Sequence, residues 1–501
     1  MKKFTLTLAL VIACVCLAHA QQTLWVTTGN VNYGFDTQQV NVMTYSAGGD
    51  SLTIQGKTFA ISDIDSLHVA SGIMEYNTVI VNYAGSNAYV NIAGNIATWV
   101  DATVDGAHVS IVQDSLLVNN EIFYTLSGAS DDGSFYQHGD MKATFILNGL
   151  TLTSTKGAAI TIDDGKRIEI QVCDSTVNTL TDCAKGKQSA CFVVEGHTEF
   201  KGAGTLILTG NTKHGFKGDE YVELKKSFLG NIIVKDAVGD GFNVNQYLEV
   251  KAGSLIIEHC GDDGVQVDKK QDDTKEFNGQ FIMSGGLVQV LGTGSEGRGL
   301  KIEDLVTITD GTIDITSSGN GIHSKADIVI DGGSIYTYST SANGINASNN
   351  LTVNGGNIMA YGVSTSGYGL RGTSKLYING GNIAAVGAMT STPQTTTENQ
   401  PAMIYKGVLT RDTNLTLDAD DGTNVLALTI TRDYSSSKQH TLLLSVPAIN
   451  AGSTYMLNSG ATLDTEKDNW HNFYYGGDAV IEAGDTTLGT ATAAVPYATL
   501  N

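Results

Sequence analysis

The most constraining feature of this chain is a glycine followed by a large apolar residue, which recurs seven times between residues 215 and 370. A polar residue follows each pair. Successive glycines are separated by 22 to 26 residues, except for one interval of 35. The seven glycines are Gly215, Gly241, Gly264, Gly299, Gly321, Gly344 and Gly369. A repeat of this period is typical of a solenoid, in which each repeat stacks only on its neighbours.

A second glycine pattern with the same period predicts the structure of each repeat. Glycines such as Gly333 and Gly356 open runs that alternate apolar and polar residues, which is the pattern of β-strands. The spacing leaves no room for a crossover helix of about ten or more residues. The predicted fold is therefore all-β, a right-handed parallel β-helix with a small β module at each end.

The domain boundaries follow from where the repeat begins and ends. We expect a small N-terminal β module at residues 21–75, the β-helix at residues 76–390, and a linker with a C-terminal β unit at residues 391–501. None of the four prolines precedes Pro393, which fits a region whose strands are paired on both sides.

The N-terminus has the three regions of a secretory signal peptide, predicted at residues 1–20. No later segment approaches 18 apolar residues, so no membrane span is expected. The protein is predicted to be secreted or displayed at the cell surface. Export permits a disulfide among Cys173, Cys183, Cys191 and Cys260, although small thiols also pack well between stacked coils.

The formal net charge of −22 makes nucleic acid an unsuitable partner. An acidic exported chain suits neutral glycans, bound cations, or acidic glycans bridged by cations. A soluble acidic surface without a specific ligand explains the composition equally well.

Acidic residues concentrate in the middle repeats. Asp240 and the pair Asp262 and Asp263 precede the glycines of adjacent coils, whose backbones are expected about 5 Å apart. Carboxylates held this close repel unless a cation lies among them, and Ca²⁺ accepts about six to eight oxygen ligands. The alternative is that each Asp-Gly pair is a turn whose carboxylate caps its own backbone. Three carboxylates in register favour a calcium site.

These residues also carry a family resemblance, which covers only about residues 239 to 303. The series Asp240-Gly-Phe, Asp262-Asp263-Gly and Gly297-Arg298-Gly299-Leu300-Lys301 resembles the motifs of calcium-dependent β-helical pectate lyases, notably polysaccharide lyase family nine. The resemblance implies that the three aspartates bind Ca²⁺ and that Lys301 abstracts the proton α to a uronate carboxylate. The lyases have a further aspartate where this chain has Gln266, and Asp268 replaces it only if it faces the same way.

Over the longer span of about residues 76 to 390, the chain more closely resembles secreted β-helix proteins described as carbohydrate-binding domains, which are themselves similar to pectate lyases. The stretches that carry this resemblance are Phe145–Thr153, Phe200–Leu206, Lys213–Lys217 and Val238–Asn243. Membership of this family implies that the protein binds calcium and a cellulose-like or acidic polysaccharide. It does not imply that the protein cleaves the polysaccharide.

Outward-facing residues of the repeats are the candidate glycan contacts. Lys301, His323 and Arg371 supply polar and cationic groups at the same offset after the repeat glycine, and Arg298 directly precedes Gly299. Tyr338 and Tyr361 share another position, so their rings are candidates for stacking on sugars. The alternative is that the two rings pack against each other or against the C-terminal segment.

The predicted function is calcium-dependent binding of a pectic, polygalacturonate-like or cellulose-like polysaccharide along one face of the β-helix. The first alternative is a calcium-dependent pectate lyase that acts by β-elimination with Lys301 as base. The second is a non-catalytic surface scaffold or adhesin. The sequence leaves the glycan, turnover and oligomeric state open.

Overall fold

The computed structural model describes residues 22–114, 121–271, 274, 277–394, 399–407, 409–432, 440–459, 462–463, 471, 473–475 and 481–482. The predicted signal peptide lies outside these residues. The chain is nearly all β and forms a parallel β-solenoid of about 11 turns, which confirms the predicted fold class. No helix in the described part of the chain has the length and apolar character that a membrane span requires.

The described residues form 46 strands and two short 3-10 helices, Ile61–Asp63 and Gly94–Ile96. The first strands are β1 Gln22–Thr28, β2 Val31–Asp36, β3 Met43–Tyr45, β4 Ser51–Ile54, β5 Lys57–Ala60, β6 Ser66–Ser71, β7 Thr78–Ala84, β8 Asn87–Ala93, β9 Val100–Asp105, β10 Ala107–Gln113, β11 Ile122–Ser130, β12 Gly133–Gly139, β13 Ala143–Thr153, β14 Ile160–Asp164 and β15 Arg167–Val172. The next are β16 Val177–Thr181, β17 Ala190–Val194, β18 His197–Gly202, β19 Thr205–Gly210, β20 His214–Gly218, β21 Val222–Phe228, β22 Asn231–Ala237, β23 Phe242–Asn245, β24 Tyr247–Val250, β25 Ser254–Ile257, β26 Val265–Asp268, β27 Gln280–Val290, β28 Leu300–Ile302, β29 Val306–Ser317 and β30 Ile322–Ser324. The last are β31 Ile328–Ile330, β32 Ser334–Ser339, β33 Ile345–Ala347, β34 Asn350–Val353, β35 Asn357–Gly362, β36 Leu370–Gly372, β37 Lys375–Ile378, β38 Asn382–Gly387, β39 Met403–Gly407, β40 Asn414–Ala419, β41 Asn424–Thr429, β42 His440–Ser445, β43 Tyr455–Ser459, β44 Thr462–Leu463, β45 Phe473–Tyr475 and β46 Ile481–Glu482.

The chain divides into two compact units. The first comprises residues up to Thr153 together with Ile162–Ile168, and the second comprises Ser154–Thr161 together with the chain from Glu169 onward. In the first unit, β1 lies between β2 and β6, antiparallel to both, and β2 continues the sheet by pairing parallel with β8. The domain boundaries that the sequence suggests remain predictions.

The coils of the second unit form three stacks of parallel strands, and the long strands β27 and β29 each belong to two of these stacks. The stack that carries the repeat glycines runs through β20, β23, β26, β28, β30, β33 and β36. Its register aligns Phe216 with Phe242, then Val265, Leu300, Ile322, Ile345 and Leu370. These residues are at most 1% exposed, so the apolar residue after each glycine points into the core, as predicted.

The repeat glycines are required by close approach of successive coils. A Cβ on Gly321 would lie 2.5 Å from the carbonyl oxygen of Gly344, and one on Gly264 would lie 2.7 Å from that of Gly299. Each glycine therefore leaves the space that the next glycine's carbonyl occupies. Since that neighbour is backbone held in a parallel sheet, it has little freedom to move.

Replacing Gly321 by Ala is expected to lower the free energy of unfolding by about 1–3 kcal/mol, because the added methyl overpacks a rigid contact. Urea unfolding followed by circular dichroism measures the loss. Gly165→Ala is the matched control, since nothing lies within 4 Å of a Cβ at that position. Equal stability of the two variants would contradict the close-approach explanation.

The C-terminal strands continue the sheet of the last coils. β42 runs antiparallel to β38 and also pairs with β39. An apolar cluster joins coil residues such as Met359 and Val386 to C-terminal residues such as Leu442, Leu428 and Phe473. The end of the stack is thereby covered by strands that lack the repeat.

The four cysteines after the predicted signal peptide are free thiols, so the disulfide that the sequence left open is not formed. Cys191 and Cys260 are buried. Burial raises the pKa of the Cys191 thiol and raises that of Cys260 to about 12, so neither is a reactive thiolate near neutral pH.

Candidate functional site

The residues that precede the repeat glycines form a ladder between side chains and backbone. The N–H of Asp240 donates to His214 Nδ1 at 3.1 Å, and the N–H of Asp263 donates to Asp240 Oδ1 at 3.1 Å. The N–H of Arg298 in turn donates to Asp263 Oδ1 at 2.8 Å. One oxygen of each aspartate therefore holds the next coil in place, which leaves the other oxygen for a different role.

Two asparagines repeat this arrangement further along the stack. The N–H of Asn343 donates to Asn320 Oδ1 at 3.0 Å, and the N–H of Tyr368 donates to Asn343 Oδ1 at 2.9 Å. The position thus favours any side chain with an acceptor oxygen. Aspartate, in place of the neutral amide, adds a negative charge that the ladder alone does not need.

The charges converge at Asp240, Asp262 and Asp263. Each offers one carboxylate oxygen, and these oxygens lie within 4.8 Å of one another. Asp240 and Asp263 are buried, whereas Asp262 is exposed. Three negative groups at this separation repel strongly unless protons or a cation neutralise them, so the arrangement suits a hard cation with oxygen ligands.

Asp263 is the most deeply buried of the three. Its side chain is 1% exposed, and Lys301 Nζ lies 2.8 Å from its Oδ2. Oδ2 is buried, and this ammonium group is the counter-charge that lies against it. Burial raises the pKa of the Asp263 carboxyl, even though Lys301 and the Arg298 N–H oppose the shift. Asp263 thus has a buried oxygen that the protein only partly compensates.

Asp240 is better compensated. Asn243 Nδ2 donates to Asp240 Oδ2 at 2.8 Å, and His214 Nδ1 lies 3.2 Å from the same oxygen. Burial raises the pKa of Asp240, but these two side chains and the Asp263 N–H outweigh it, so the net pKa is lowered. Asp240 is therefore ionised at neutral pH and is available to a cation.

His214 and Asn243 were not among the predicted site residues. Both are buried, at 3% and 4% exposure. The signal that locates them is the strand register, since Asn243 aligns with Lys217 on one side and with Gln266 on the other. The sequence alone does not show that Asn243 turns toward Asp240.

Lys301 lies against the cluster as an ammonium group. Its Nζ donates to Gln266 Oε1 at 2.9 Å in addition to contacting Asp263. Burial lowers the pKa of Lys301, but the Asp263 and Asp240 carboxylates outweigh that effect, so the net pKa is raised. A lysine that holds its proton this firmly is a poor general base.

Asp268 does not join the three other predicted ligands. It lies two residues beyond Gln266 on β26, and Gln266 Nε2 donates to its Oδ2 at 2.5 Å. Asp268 lies at the far end of β26, five residues after Asp263, and outside the group of three carboxylates whose oxygens lie within 4.8 Å of one another. A role for Asp268 as a ligand of the same cation remains a prediction.

The predicted polar contacts lie in one column of the glycine-bearing stack. Lys301 aligns with His323, His323 with Asn346, and Asn346 with Arg371. Lys301, His323 and Arg371 are partly exposed. Arg298 lies beside the column, with Nη1 3.9 Å from Asp263 Oδ1. The structure thus presents a line of polar side chains that begins at the acidic cluster.

Tyr361 is not a stacking platform. Its side chain is 0% exposed because the C-terminal strands cover it, so the prediction that it stacks on a sugar is wrong. Tyr338 packs edge-on against Tyr361 at 6.4 Å, and the Arg432 guanidinium lies 4.3 Å above the Tyr338 ring. The alternative in which these rings pack against the C-terminal segment is the one observed.

His323 predicts a pH dependence of stability. Burial, with Arg298 nearby, lowers its pKa to about 4, whereas its ordinary value is 6.5. Between these values the unfolded chain binds more protons than the folded one, so stability is lost as the pH falls from 6.5 to about 4. The shift would cost about 3 kcal/mol for a fully buried ring, and the exposed part of the ring reduces the expected loss to about 1–2 kcal/mol.

Urea unfolding across this pH range tests the assignment. His323→Gln is the comparison, because its side-chain oxygen can accept the hydrogen bond that Asn346 Nδ2 makes to His323 Nδ1 at 2.8 Å. The variant is expected to lose less stability than the wild type between pH 6.5 and pH 4. If the free energies of unfolding of the two proteins changed equally with pH, the ring would titrate as an ordinary histidine does.

Comparison with known proteins adds a family to this geometry. The model of the family described as carbohydrate-binding domain-containing protein matches residues 105–391 and 293–494. A carbohydrate-binding domain-containing protein of Acetivibrio thermocellus is 28% identical over 142 residues, which are 26% of this chain and 48% of that protein. The chain therefore spans about half the length of this curated relative.

One solved structure is similar in part. The polysaccharide lyase-like protein from C. thermocellum, solved as a gadolinium derivative, is 20% identical and has a TM-score of 0.43. The match covers 50% of this chain and 96% of that chain.

Proposed function

This chain belongs to the family of carbohydrate-binding domain-containing proteins, and from that premise we propose that it binds an acidic, polygalacturonate-like polysaccharide through Ca²⁺. The proposed calcium ligands are Asp240, Asp262 and Asp263. With its predicted signal peptide, the protein is proposed to act outside the cell.

The observation that supports calcium most directly is the convergence of three carboxylates, whose oxygens lie within 4.8 Å of one another and two of which are buried. A buried charge without full compensation is costly, and a cation would remove that cost. Ca²⁺ suits the site because it prefers carboxylate oxygens and tolerates irregular geometry. When bound, it would supply positive charge that neutralises the aspartates and attracts a uronate carboxylate.

An acidic glycan is favoured by the side chains beside the cluster. Lys301, Arg298 and Arg371 carry positive charge on the partly exposed face. Guanidinium and ammonium groups pair with carboxylates, and arginine does so in a two-pronged geometry. A neutral cellulose-like chain carries no carboxylate that could pair with these cations.

Binding is preferred to catalysis because of Lys301. A lyase base must accept a proton from the sugar, whereas the Lys301 ammonium group is already engaged, since it pairs with Asp263 and donates to Gln266 Oε1. The same ammonium group, 2.8 Å from Asp263 Oδ2, is well placed to hold a substrate carboxylate near the cation site. The role proposed for Lys301 is therefore in glycan binding.

One experiment separates the three functions. The mature protein is incubated with polygalacturonate, with insoluble pectin and with cellulose, in Ca²⁺ or in a chelator, and both retention and formation of unsaturated uronate are followed. We expect retention on the pectic polymers that the chelator abolishes, without absorbance from an unsaturated product. Turnover that disappears in Lys301→Ala would establish the lyase instead. Retention unaffected by the chelator would contradict the calcium role, and absence of retention on all three polymers would favour the scaffold.

A further inference from the structure

A second glycan-binding surface lies in the N-terminal unit, on the sheet formed by β6, β1, β2 and β8. We propose that Trp25, Asn32, His68 and Asn91 form a binding site for one ring of a neutral pyranose polymer. This site is distinct from the proposed calcium site: its residues belong to strands outside the glycine repeat, and they lie outside the family match, which begins at residue 105.

Trp25 is on the outer face of the sheet. Its neighbours Leu24 and Val26 are 7% and 0% exposed and point into the core, so the alternation of β1 directs Trp25 the other way. The register places Trp25 opposite Gly34 on β2 and opposite His68 on β6. A large aromatic ring therefore occupies the face that strands of this kind ordinarily fill with polar side chains.

The indole lies over a glycine. A Cβ on Gly34 would be 2.9 Å from both Cζ3 and Cη2 of Trp25, and Gly34 is buried beneath the ring. Since Gly34 has no side chain, the six-membered part of the indole approaches the β2 backbone closely. Trp25 itself remains partly exposed. The sheet thus supports one side of an aromatic platform that is fixed in position before any ligand arrives.

Polar groups border the platform in an ordered chain. Thr27 Oγ1 donates to Asn32 Oδ1 at 2.8 Å, and Asn32 Nδ2 donates to Asn91 Oδ1 at 2.9 Å. These bonds fix the orientation of both amides and direct the Asn91 NH₂ group onward. In the described part of the chain, neither that NH₂ group nor the exposed His68 ring has a hydrogen-bond partner. Both remain available to hydroxyl groups of a ligand.

The four residues line an open surface depression of about 240 Å³. This volume is smaller than the roughly 300–1,000 Å³ of sites for drug-sized ligands. A single sugar ring is a suitable occupant. An aromatic face with a few fixed polar groups is also the combination that orients a ligand with one apolar face and hydroxyls at its edge.

The lining favours a neutral sugar. None of Trp25, Asn32, His68 and Asn91 carries a fixed charge, so a uronate carboxylate would find no lysine or arginine among them. A pyranose with equatorial hydroxyls has C–H groups on both faces for the indole and hydroxyls around its rim for the amides. This chemistry contrasts with that of the proposed calcium site, where carboxylates and cations dominate.

Calorimetric titration of the mature protein tests the proposal. Cellohexaose, xylohexaose and mannohexaose are the neutral probes, trigalacturonate is the acidic one, and every titration is run in a chelator. We expect at least one neutral hexaose to bind, and Trp25→Ala to weaken that binding by about tenfold or more, because it removes the main apolar contact. Gly34→Ala should also weaken it, since its methyl displaces the indole without removing it.

Two further variants control for fold and for site. Tyr45→Ala removes an aromatic side chain that is 54% exposed elsewhere in the unit, and it should bind as the wild type does. Asp263→Asn should also leave hexaose binding unchanged, which separates this site from the proposed calcium site. Thermal unfolding verifies that each variant is folded. The proposal is overturned if no neutral hexaose binds, if Trp25→Ala binds as tightly as the wild type, or if trigalacturonate binds in the same Trp25-dependent way.

Discussion

Asp263→Asn is expected to abolish calcium-dependent retention on polygalacturonate and to weaken Ca²⁺ binding by about 100-fold or more. The substitution removes the negative charge from the most buried carboxylate of the cluster, and calcium affinity depends strongly on the number of charged ligands. The amide oxygen can still accept the Arg298 N–H at the position of Oδ1, where the distance is now 2.8 Å. The coil is therefore expected to keep its structure while the site loses its function.

Calcium titration by calorimetry measures the affinity, and retention on polygalacturonate with and without a chelator measures the function. Asp268→Asn is the matched control, because it makes the same chemical change on β26 outside the group of three carboxylates. It is expected to bind Ca²⁺ within about threefold of the wild type. Equal losses in the two variants would mean that general negative charge, and not the cluster, attracts the cation.

Phe216→Ala is expected to lower the free energy of unfolding by about 3–5 kcal/mol. Phe216 is 0% exposed and stacks on Phe242 with ring centroids 4.4 Å apart and an angle of 12°. It also meets the edges of Phe192 at 5.5 Å and Phe200 at 5.7 Å. Because the coils above and below are held by backbone hydrogen bonds, they cannot close the cavity that the missing ring would leave.

Urea unfolding followed by circular dichroism gives the loss, with the slope checked for a single cooperative transition. Phe277→Ala provides the same deletion at a ring that is 42% exposed and contacts Tyr247 at 5.8 Å. A loss of about 1 kcal/mol is expected there, since less apolar area leaves water. A Phe216→Ala loss no larger than this would contradict the view that aromatic stacking between coils stabilises the solenoid.

The repeat made much of the fold predictable. A glycine followed by an apolar residue at a fixed period indicates both the stacking and the register, because parallel coils place equivalent residues beside each other. The alignment of Gln266 with Lys301, and of Lys301 with His323, follows from counting residues after each glycine. The 35-residue interval leaves this register intact, since its extra residues lie between β26 and β27.

What the repeat could not reveal are contacts with segments that lack it. The burial of Tyr361 depends on C-terminal strands such as β42, whose pairing with β38 joins residues 54 to 62 positions apart and follows no period. In the same way, nothing in the sequence around Trp25 shows that Gly34 lies beneath its ring. Such long-range packing depends on how the surfaces of distant segments fit together, and no local sequence pattern indicates that fit.

The sequence predicted which side chains form the candidate site better than it predicted how those side chains are arranged. The convergence of Asp240, Asp262 and Asp263 follows from the register, whereas the position of Asp268 outside this group depends on where the turn ends and the strand begins. The partner role of Asn243 likewise depends on a side-chain rotation that the pattern does not specify. The number of charged side chains in one column of the repeat can be counted from the sequence. The hydrogen bonds and ion pairs by which neighbouring side chains neutralise them cannot be predicted in this way.

The reversed strand at the C-terminal end of the stack has a consequence for assembly. A parallel coil offers its outer edge as a template on which another parallel strand, including one from a second copy of the chain, can add. β42 runs in the opposite direction to β38 and covers that edge together with β39. A newcomer on this sheet would therefore meet β39, which lacks the glycine repeat and is separated from the last coil by the reversed strand β42, so the coil sequence is not continued directly from one molecule to the next.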